Sequence, residues 1–125
     1  MKEKKISIIV PVYNCSYYLE DCLDSLVNLQ SVDEIEVEVV IVDDGSTDDS
    51  PQICDRYAQK YANVLVYHTI NQGVSCARNY GLNKSHGDWI MYVDGDDTLR
   101  FDTLIVLSKN NFGEYDILRF GFNEV

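Results

Sequence analysis

Short β-branched runs alternate with amphipathic stretches along this chain, and no other feature limits its fold as much. Ile6-Ser7-Ile8-Ile9-Val10 reads as a buried strand. Tyr17 to Leu29 then carries Tyr18, Leu19, Cys22, Leu23, Leu26 and Val27 at the spacing of one helix face. Val37 to Val42 is a second strand. A helix from about Asp49 to Ala62 follows, with Ser46 or Thr47 expected at its cap and Pro51 in its first turn. Val64 to His68 is a third strand, Val74 to Asn83 a helix and Trp89 to Val93 a fourth strand. Phe101 to Lys109 reads as a last helix and Tyr115 to Phe122 as a last strand. Strand–helix–strand units require crossover connections. The expected fold is therefore α/β, with a mostly parallel, Rossmann-like sheet flanked by helices on both faces.

This order says where to look for a site. In an open α/β sheet, ligands bind outside the carboxyl ends of the strands. The four tails there are Pro11-Val12-Tyr13-Asn14, Asp43-Asp44-Gly45-Ser46, Thr69 to Gly73, and Asp94-Gly95-Asp96-Asp97. The unusual polar residues concentrate in these tails, whereas chance would scatter them.

Asp94-Gly95-Asp96 is the sharpest signal. With Asp97 it sets three acids within four residues, directly after an apolar run. Carboxylates this close repel unless a proton or a cation joins them. If the strand continues extended, residues two apart point the same way, so Asp94 and Asp96 can share a cation. Oxygen ligands favour Mg2+ or Mn2+ over zinc. A solvated turn is the plain alternative, since Asp-Gly-Asp is ordinary turn chemistry. Asp43 and Asp44 divide in the same way between a turn with a helix cap and a contact to a base or ribose. Tyr13 either stacks on a base or covers the core edge. Arg78, one turn into its helix, suits a diphosphate, and in so acidic a chain it can instead pair with Asp94 or Asp44. His68 and His86 read as surface or strand-end residues without a role.

Composition narrows the partners. The 125 residues hold 21 acids against 10 Lys and Arg, a formal charge of -11, so nucleic acid and anionic membrane surfaces are disfavoured. Four cysteines without a CxxC pair or a His cluster read as reduced thiols, not as disulfides or zinc ligands. No apolar run reaches membrane-spanning length, and the start of the chain is a poor secretory signal. Neither GxxxxGK[ST] nor GxGxxG occurs. Asp94 to Thr98 matches the DxDxT of haloacid-dehalogenase-like phosphatases, but it follows the fourth strand where that family needs the first. The Asp43-Asp44 pair resembles that of response-regulator receivers, again after the wrong strand.

Taken in order, Ile6 to Asn14, Val42 to Asp48, Asn71 to Ser75, Ala77 to Gly81 and Tyr92 to Asp97 resemble family 2 glycosyltransferases. The resemblance runs from Ile6 to about Asp102. It implies a GT-A fold and a nucleotide-diphospho-sugar donor, commonly a UDP-sugar. It also implies that Pro11, Val12 and Tyr13 hold the base, that Asp44 contacts uracil with Asp43 beside it, and that Arg78 lies near the nucleotide. Asp94-Gly95-Asp96 matches the DxD motif, which implies ribose binding and a divalent metal, Mn2+ or Mg2+, held by Asp94, Asp96 and Asp97. The implied reaction is inverting transfer of a hexosyl-type sugar to a glycan or lipid-linked acceptor in polysaccharide synthesis.

Such enzymes carry their acceptor site and general base well beyond the DxD, so residues 1–125 are expected to be the donor-binding part alone. Neither Glu114 nor Asp116 stands far enough along to be that base. The fragment is expected to bind donor without completing transfer, in the cytoplasm or at the inner face of a membrane, with self-association through an uncovered sheet edge as a further expectation. The rival reading is a non-catalytic nucleotide-binding or interaction module on the same fold.

Overall fold

The computed structural model describes residues 4–109. Its elements alternate as β1 (Lys4–Val12), α1 (Ser16–Val27), β2 (Ile35–Asp44), α2 (Ser50–Lys60), β3 (Val64–Thr69), α3 (Val74–Lys84), β4 (Trp89–Tyr92) and α4 (Thr103–Lys109). All strand pairings are parallel, and the sheet order is β3-β2-β1-β4. The strand expected at Tyr115 to Phe122, with Glu114 and Asp116, lies outside the described residues.

The strand order dictates where the helices go. The chain steps outward from β1 to β2 to β3, then returns to the far side of β1. Right-handed crossovers put the helices of the outward steps on one face and the helix of the return step on the other. The packing follows this rule. Ile6, Ile8, Val10 and Val12 share a core with Leu19, Leu23 and Leu26 of α1, Ile53 and Tyr57 of α2, and Leu104 and Leu107 of α4. Ile9 and Val42 face the opposite way, onto α3, where a Cβ added at Gly81 would stand 2.5 Å from Ile9 Cγ2 and 3.2 Å from Val42 Cγ2. Both faces of the central strands are covered, which is why β1 and β2 read as nearly unbroken apolar runs.

One buried polar group interrupts the α3 face. Glu38 accepts a hydrogen bond from Ser7 Oγ at 2.6 Å and another from the His86 backbone N–H at 2.9 Å, and His86 Nδ1 lies 2.7 Å from its other oxygen. Ser7 Oγ accepts from the Gly87 N–H at 2.8 Å. This carboxylate thus ties β1, β2 and the α3–β4 connection together. Burial opposes its charge, but the bonds from Ser7 and His86 outweigh burial and hold its pKa below the ordinary value.

Element boundaries depart from expectation where side chains take over backbone bonding. β2 runs two residues past Val42, so Asp43 and Asp44 lie within the strand, opposite His68 and Thr69 of β3. β1 runs through Pro11, which is tolerated because pairing with β4 has already ended at Ile9. The expected cap of α2 is corrected. Ser46 and Thr47 do not cap it; Asp48 Oδ1 accepts the Ser50 N–H at 2.9 Å, while Ser46 Oγ accepts from Asn14 N–H at 3.0 Å.

Because the α3 face leaves no room at Gly81, Gly81→Ala is expected to destabilise the fold by about 1–3 kcal/mol, the usual cost of overpacking. Urea unfolding of the variant and the parent chain measures this directly.

Candidate functional site

The sheet changes direction at β1. Its neighbours β2 and β4 are reached by connections on opposite faces, so the crevice between the tails of β1 and β4 is the topological switch point. The tails converge there. The Cα of Gly95 packs so tightly on the β1 tail that an added Cβ would lie 2.6 Å from Cys15 Sγ and 3.4 Å from Val12 Cγ2. Any other residue there requires the Cys15 side chain or the loop to shift. Below it, the Cys22 thiol donates to the Asp94 carbonyl at 3.6 Å.

The β1 and β2 tails are bonded to each other side chain to backbone. Asn14 sits in the left-handed region with φ 49°, and its Oδ1 accepts the Thr47 N–H at 2.7 Å. Ser50 Oγ accepts the Cys15 N–H at 3.2 Å. Asp48 joins two helix starts, since Oδ2 accepts the Ser16 N–H at 3.1 Å while Oδ1 holds Ser50. Burial works against its ionisation, but these bonds outweigh burial and bring its pKa down from 3.8 to about 2.

The β2 and β3 tails are held by Asp44. Its Oδ1 accepts the Gln72 N–H at 2.9 Å, and its Oδ2 accepts the Gly73 N–H at 3.0 Å and Asn71 Nδ2 at 3.1 Å. Asp43 accepts the Ser46 N–H at 3.0 Å on Oδ1, and its Oδ2 lies 2.7 Å from His68 Nδ1. Both acids are buried. Each therefore has partners within the fold.

The acidic tail is arranged differently. β4 ends at Tyr92, and Asp94 to Asp97 form a turn closed by the Asp97 N–H on the Asp94 carbonyl at 2.9 Å. The turn, not the alternation of an extended strand, gathers the acids. One carboxylate oxygen from each of Asp94, Asp96 and Asp97 lies within 4.8 Å of the others. Arg78 comes across from α3, with Nη2 3.0 Å from Asp94 Oδ1. Its Nε is buried and has no hydrogen-bond partner among the described residues.

Every candidate site residue read from the strand tails and α3 thus lies at one sheet edge, in differing states. Tyr13 is exposed, and Asp96 is exposed at the turn. Pro11, Val12 and Gly95 are buried, and the Val12 side chain belongs to the core. The positioning bonds of Asn14, Ser46, Asp48 and His68 were not read from the sequence, although Ser46 was expected at the α2 cap and His68 as a strand-end residue without a role. Asp48 alone had a signal, as an acid two residues before the first residue of a helix that opens with Ser50-Pro51.

The profile of glycosyl transferase family 2 matches residues 7–110, which include all of these tails. The chain belongs to glycosyl transferase family 2. It is 42% identical over 107 residues to glycosyltransferase GlyA of Streptococcus pneumoniae, covering 86% of this chain and 15% of that protein. Among solved structures it is similar to S. aureus TarS 1–349 in complex with UDP-GlcNAc, at TM-score 0.76 and 36% identity, covering 84% of this chain and 30% of that one. It is also similar to the mannosyltransferase PcManGT of Pyrobaculum calidifontis in complex with GDP-Man and Mn2+, at TM-score 0.72 and 27% identity, covering 87% and 32%. The fold is GT-A. This family 2 chain spans less than a third of the length of each of these relatives.

Two outcomes follow for this family 2 chain. Gly95→Ala is expected to lower the unfolding midpoint by pushing the 94–97 turn off Cys15, and adding Cys15→Ala, which removes the clashing sulfur, to recover part of the loss. Asp48→Ala removes acceptors from two helix starts and is expected to cost about 1–2 kcal/mol near neutral pH. Because the folded state depresses the Asp48 pKa, its contribution is complete above the unfolded value of 3.8 and fades as pH falls toward about 2. Chemical denaturation across that range should show the two proteins converging in stability under acid conditions.

Proposed function

We propose that the chain is the donor-binding portion of a longer inverting glycosyltransferase that takes a nucleotide-diphospho-sugar, a UDP-sugar by preference. The observation that carries this reading is the three-carboxylate turn meeting Arg78 at the switch point between β1 and β4. A turn offering only oxygen ligands fits a hard divalent cation. Asp94, Asp96 and Asp97 would hold Mn2+ or Mg2+, which neutralises charge developing on the departing nucleoside diphosphate. Mn2+ stands with the GDP-Man complex of PcManGT, and UDP-GlcNAc with TarS, both of which share this fold.

The chain's own residues divide the remaining work. Tyr13 offers an exposed ring for the base at the end of β1. Asp43 and Asp44 hold the loops that would border the base. Arg78 supplies the positive charge. A buried donor without a partner costs about 1–3 kcal/mol, and a diphosphate oxygen would satisfy its Nε. The sugar passes to a glycan or lipid-linked hydroxyl, assisted by a carboxylate base contributed from beyond residue 125. A nucleotide-sugar donor puts this step in the cytoplasm, at the inner face of a membrane where the acceptor is lipid-linked. No helix among the described residues is long and apolar enough to cross a membrane.

Calorimetry with UDP tests the reading. Mn2+ is expected to strengthen binding, and Asp96→Ala to abolish that strengthening while leaving metal-free binding in place. Equal UDP affinity with and without Mn2+ in the parent chain would refute the metal role. Acceptor-dependent turnover is expected to be absent from the 125-residue chain, and sustained transfer by it would refute its assignment as a donor-binding part.

A further inference from the structure

His68 closes β3 below the loops that border the base side of the cleft. Its Nδ1 lies 2.7 Å from Asp43 Oδ2, and its Nε2 lies 2.7 Å from Asp55 Oδ1 on α2. A neutral imidazole donates from one nitrogen only. Two carboxylate partners therefore call for the imidazolium, with both nitrogens donating. The two acids differ in weight. The Asp43 side chain is 4% exposed and that of Asp55 is 55% exposed, so solvent screens the second contact and the first dominates.

From Asp43 the bonding continues outward. Oδ1 accepts the Ser46 N–H, and Ser46 Oγ accepts the Asn14 N–H. A continuous path thus runs from α2 through His68 and Asp43 into the tails of β2 and β1, on either side of Tyr13 and Asp44. We propose that His68 is a positioning residue for donor binding: as the imidazolium it neutralises buried Asp43 and so fixes the Gly45–Ser46 turn and the Asn14 backbone beside the nucleotide base. The proposal deepens the donor-binding reading and rests on it.

The proposal gives pH a direction. Burial opposes the charge on His68, but the bonds to Asp43 and Asp55 outweigh burial and raise its pKa above 6.5. A raised pKa means that the contribution is complete below the unfolded value and is lost as pH rises through the folded one. On deprotonation one nitrogen turns a lone pair toward a carboxylate: the exposed Asp55 contact gives way, and Asp43 keeps the Nδ1–H but stays buried beside a neutral ring that no longer offsets its charge. The ionisable groups facing His68 are Asp43 from β2 and Asp55 from α2. The Cys54 thiol on α2 stands near Asp43, and burial, with Asp43 adding to it, pushes its pKa up, so it stays protonated through this range.

An NMR pH titration of the 15N-labelled 125-residue chain tests the clamp without ligand. The Ser46 and Asn14 amide shifts are expected to move with the same midpoint as the His68 ring, and that transition should vanish in His68→Gln. Calorimetry with UDP and Mn2+ in the same buffers tests the consequence. Affinity should fall roughly tenfold in the parent chain above that midpoint, the worth of one charge-assisted hydrogen bond. His68→Gln should be weaker at low pH, with only the pH dependence that UDP itself brings to both proteins. Ser46 and Asn14 amides indifferent to the His68 titration would overturn the clamp. Identical pH profiles of UDP affinity in the two proteins would overturn the positioning role and leave the donor reading standing. Absence of UDP binding at every pH would instead remove the donor reading, and the positioning role with it. If His68→Gln fails to fold, the amide titration of the parent chain still decides the clamp.

Discussion

Backbone N–H groups released at the carboxyl ends of the strands are collected here by aspartates. A strand that leaves its sheet exposes donors that its neighbours no longer satisfy, and loops over a buried edge must find acceptors for them. Asp43 takes Ser46, Asp44 takes Gln72 and Gly73, and Asp48 takes Ser16 and Ser50. Each of these bonds has an ionised acceptor, the stronger kind. The tails of β1, β2 and β3 and the starts of α1 and α2 are set by these three side chains. The backbone on the β2 and β3 side of the crevice inherits its position from them.

This changes the meaning of the charge of -11. The acids fall into classes with different electrostatics. Asp43, Asp44, Asp48 and Glu38 are stabilised by donors of the fold itself, and they need no external cation. Asp94, Asp96 and Asp97 crowd one turn, where the guanidinium of Arg78 meets Asp94. Carboxylates this close repel one another, and a positive charge placed among them would lower that repulsion. Others, such as Glu34 and Glu36, are exposed and weakly coupled to the rest.

The architecture was legible because periodicity records burial. Nearly unbroken apolar runs at Ile6–Val10 and Val37–Val42 signalled strands covered on both faces, and the order of elements then fixed a parallel sheet and the edge where the tails meet. The acidic turn was legible from composition alone, although the reason for its geometry was not. Asp94 and Asp96 come together through a turn closed by the Asp97 N–H, whereas periodicity had suggested an extended strand. The bonds of Asp44 were hidden because its partners lie 27 to 29 residues away in the loop at Asn71 to Gly73, and that of Asp43 to His68 because it spans 25 residues to a neighbouring strand. His68 and His86 were hidden for the same reason. Each is partly exposed, as its sequence context suggests, yet reaches a carboxylate buried on a neighbouring strand. Local spacing reports which face a residue lies on, and cannot report which buried group it meets across the sheet.

The two sides of the crevice differ in how firmly they are held. On the side of β2 and β3, Asp43, Asp44 and their partners form a dense set of short bonds, so the backbone there is arranged before any ligand arrives. On the side of β4, the contacts of the turn include packing of Gly95 against Cys15, a weak thiol bond and the Arg78 contact to Asp94. Preorganised groups discriminate shape, because a ligand that does not match them gains nothing by moving them. Groups balanced by a single mobile cation respond to charge, because a new cation or anion competes directly with the existing pair. On the donor-binding reading proposed above, the planar base would be recognised on the rigid side, and a metal and diphosphate would act at the turn, where a bound cation would compete with Arg78 for Asp94.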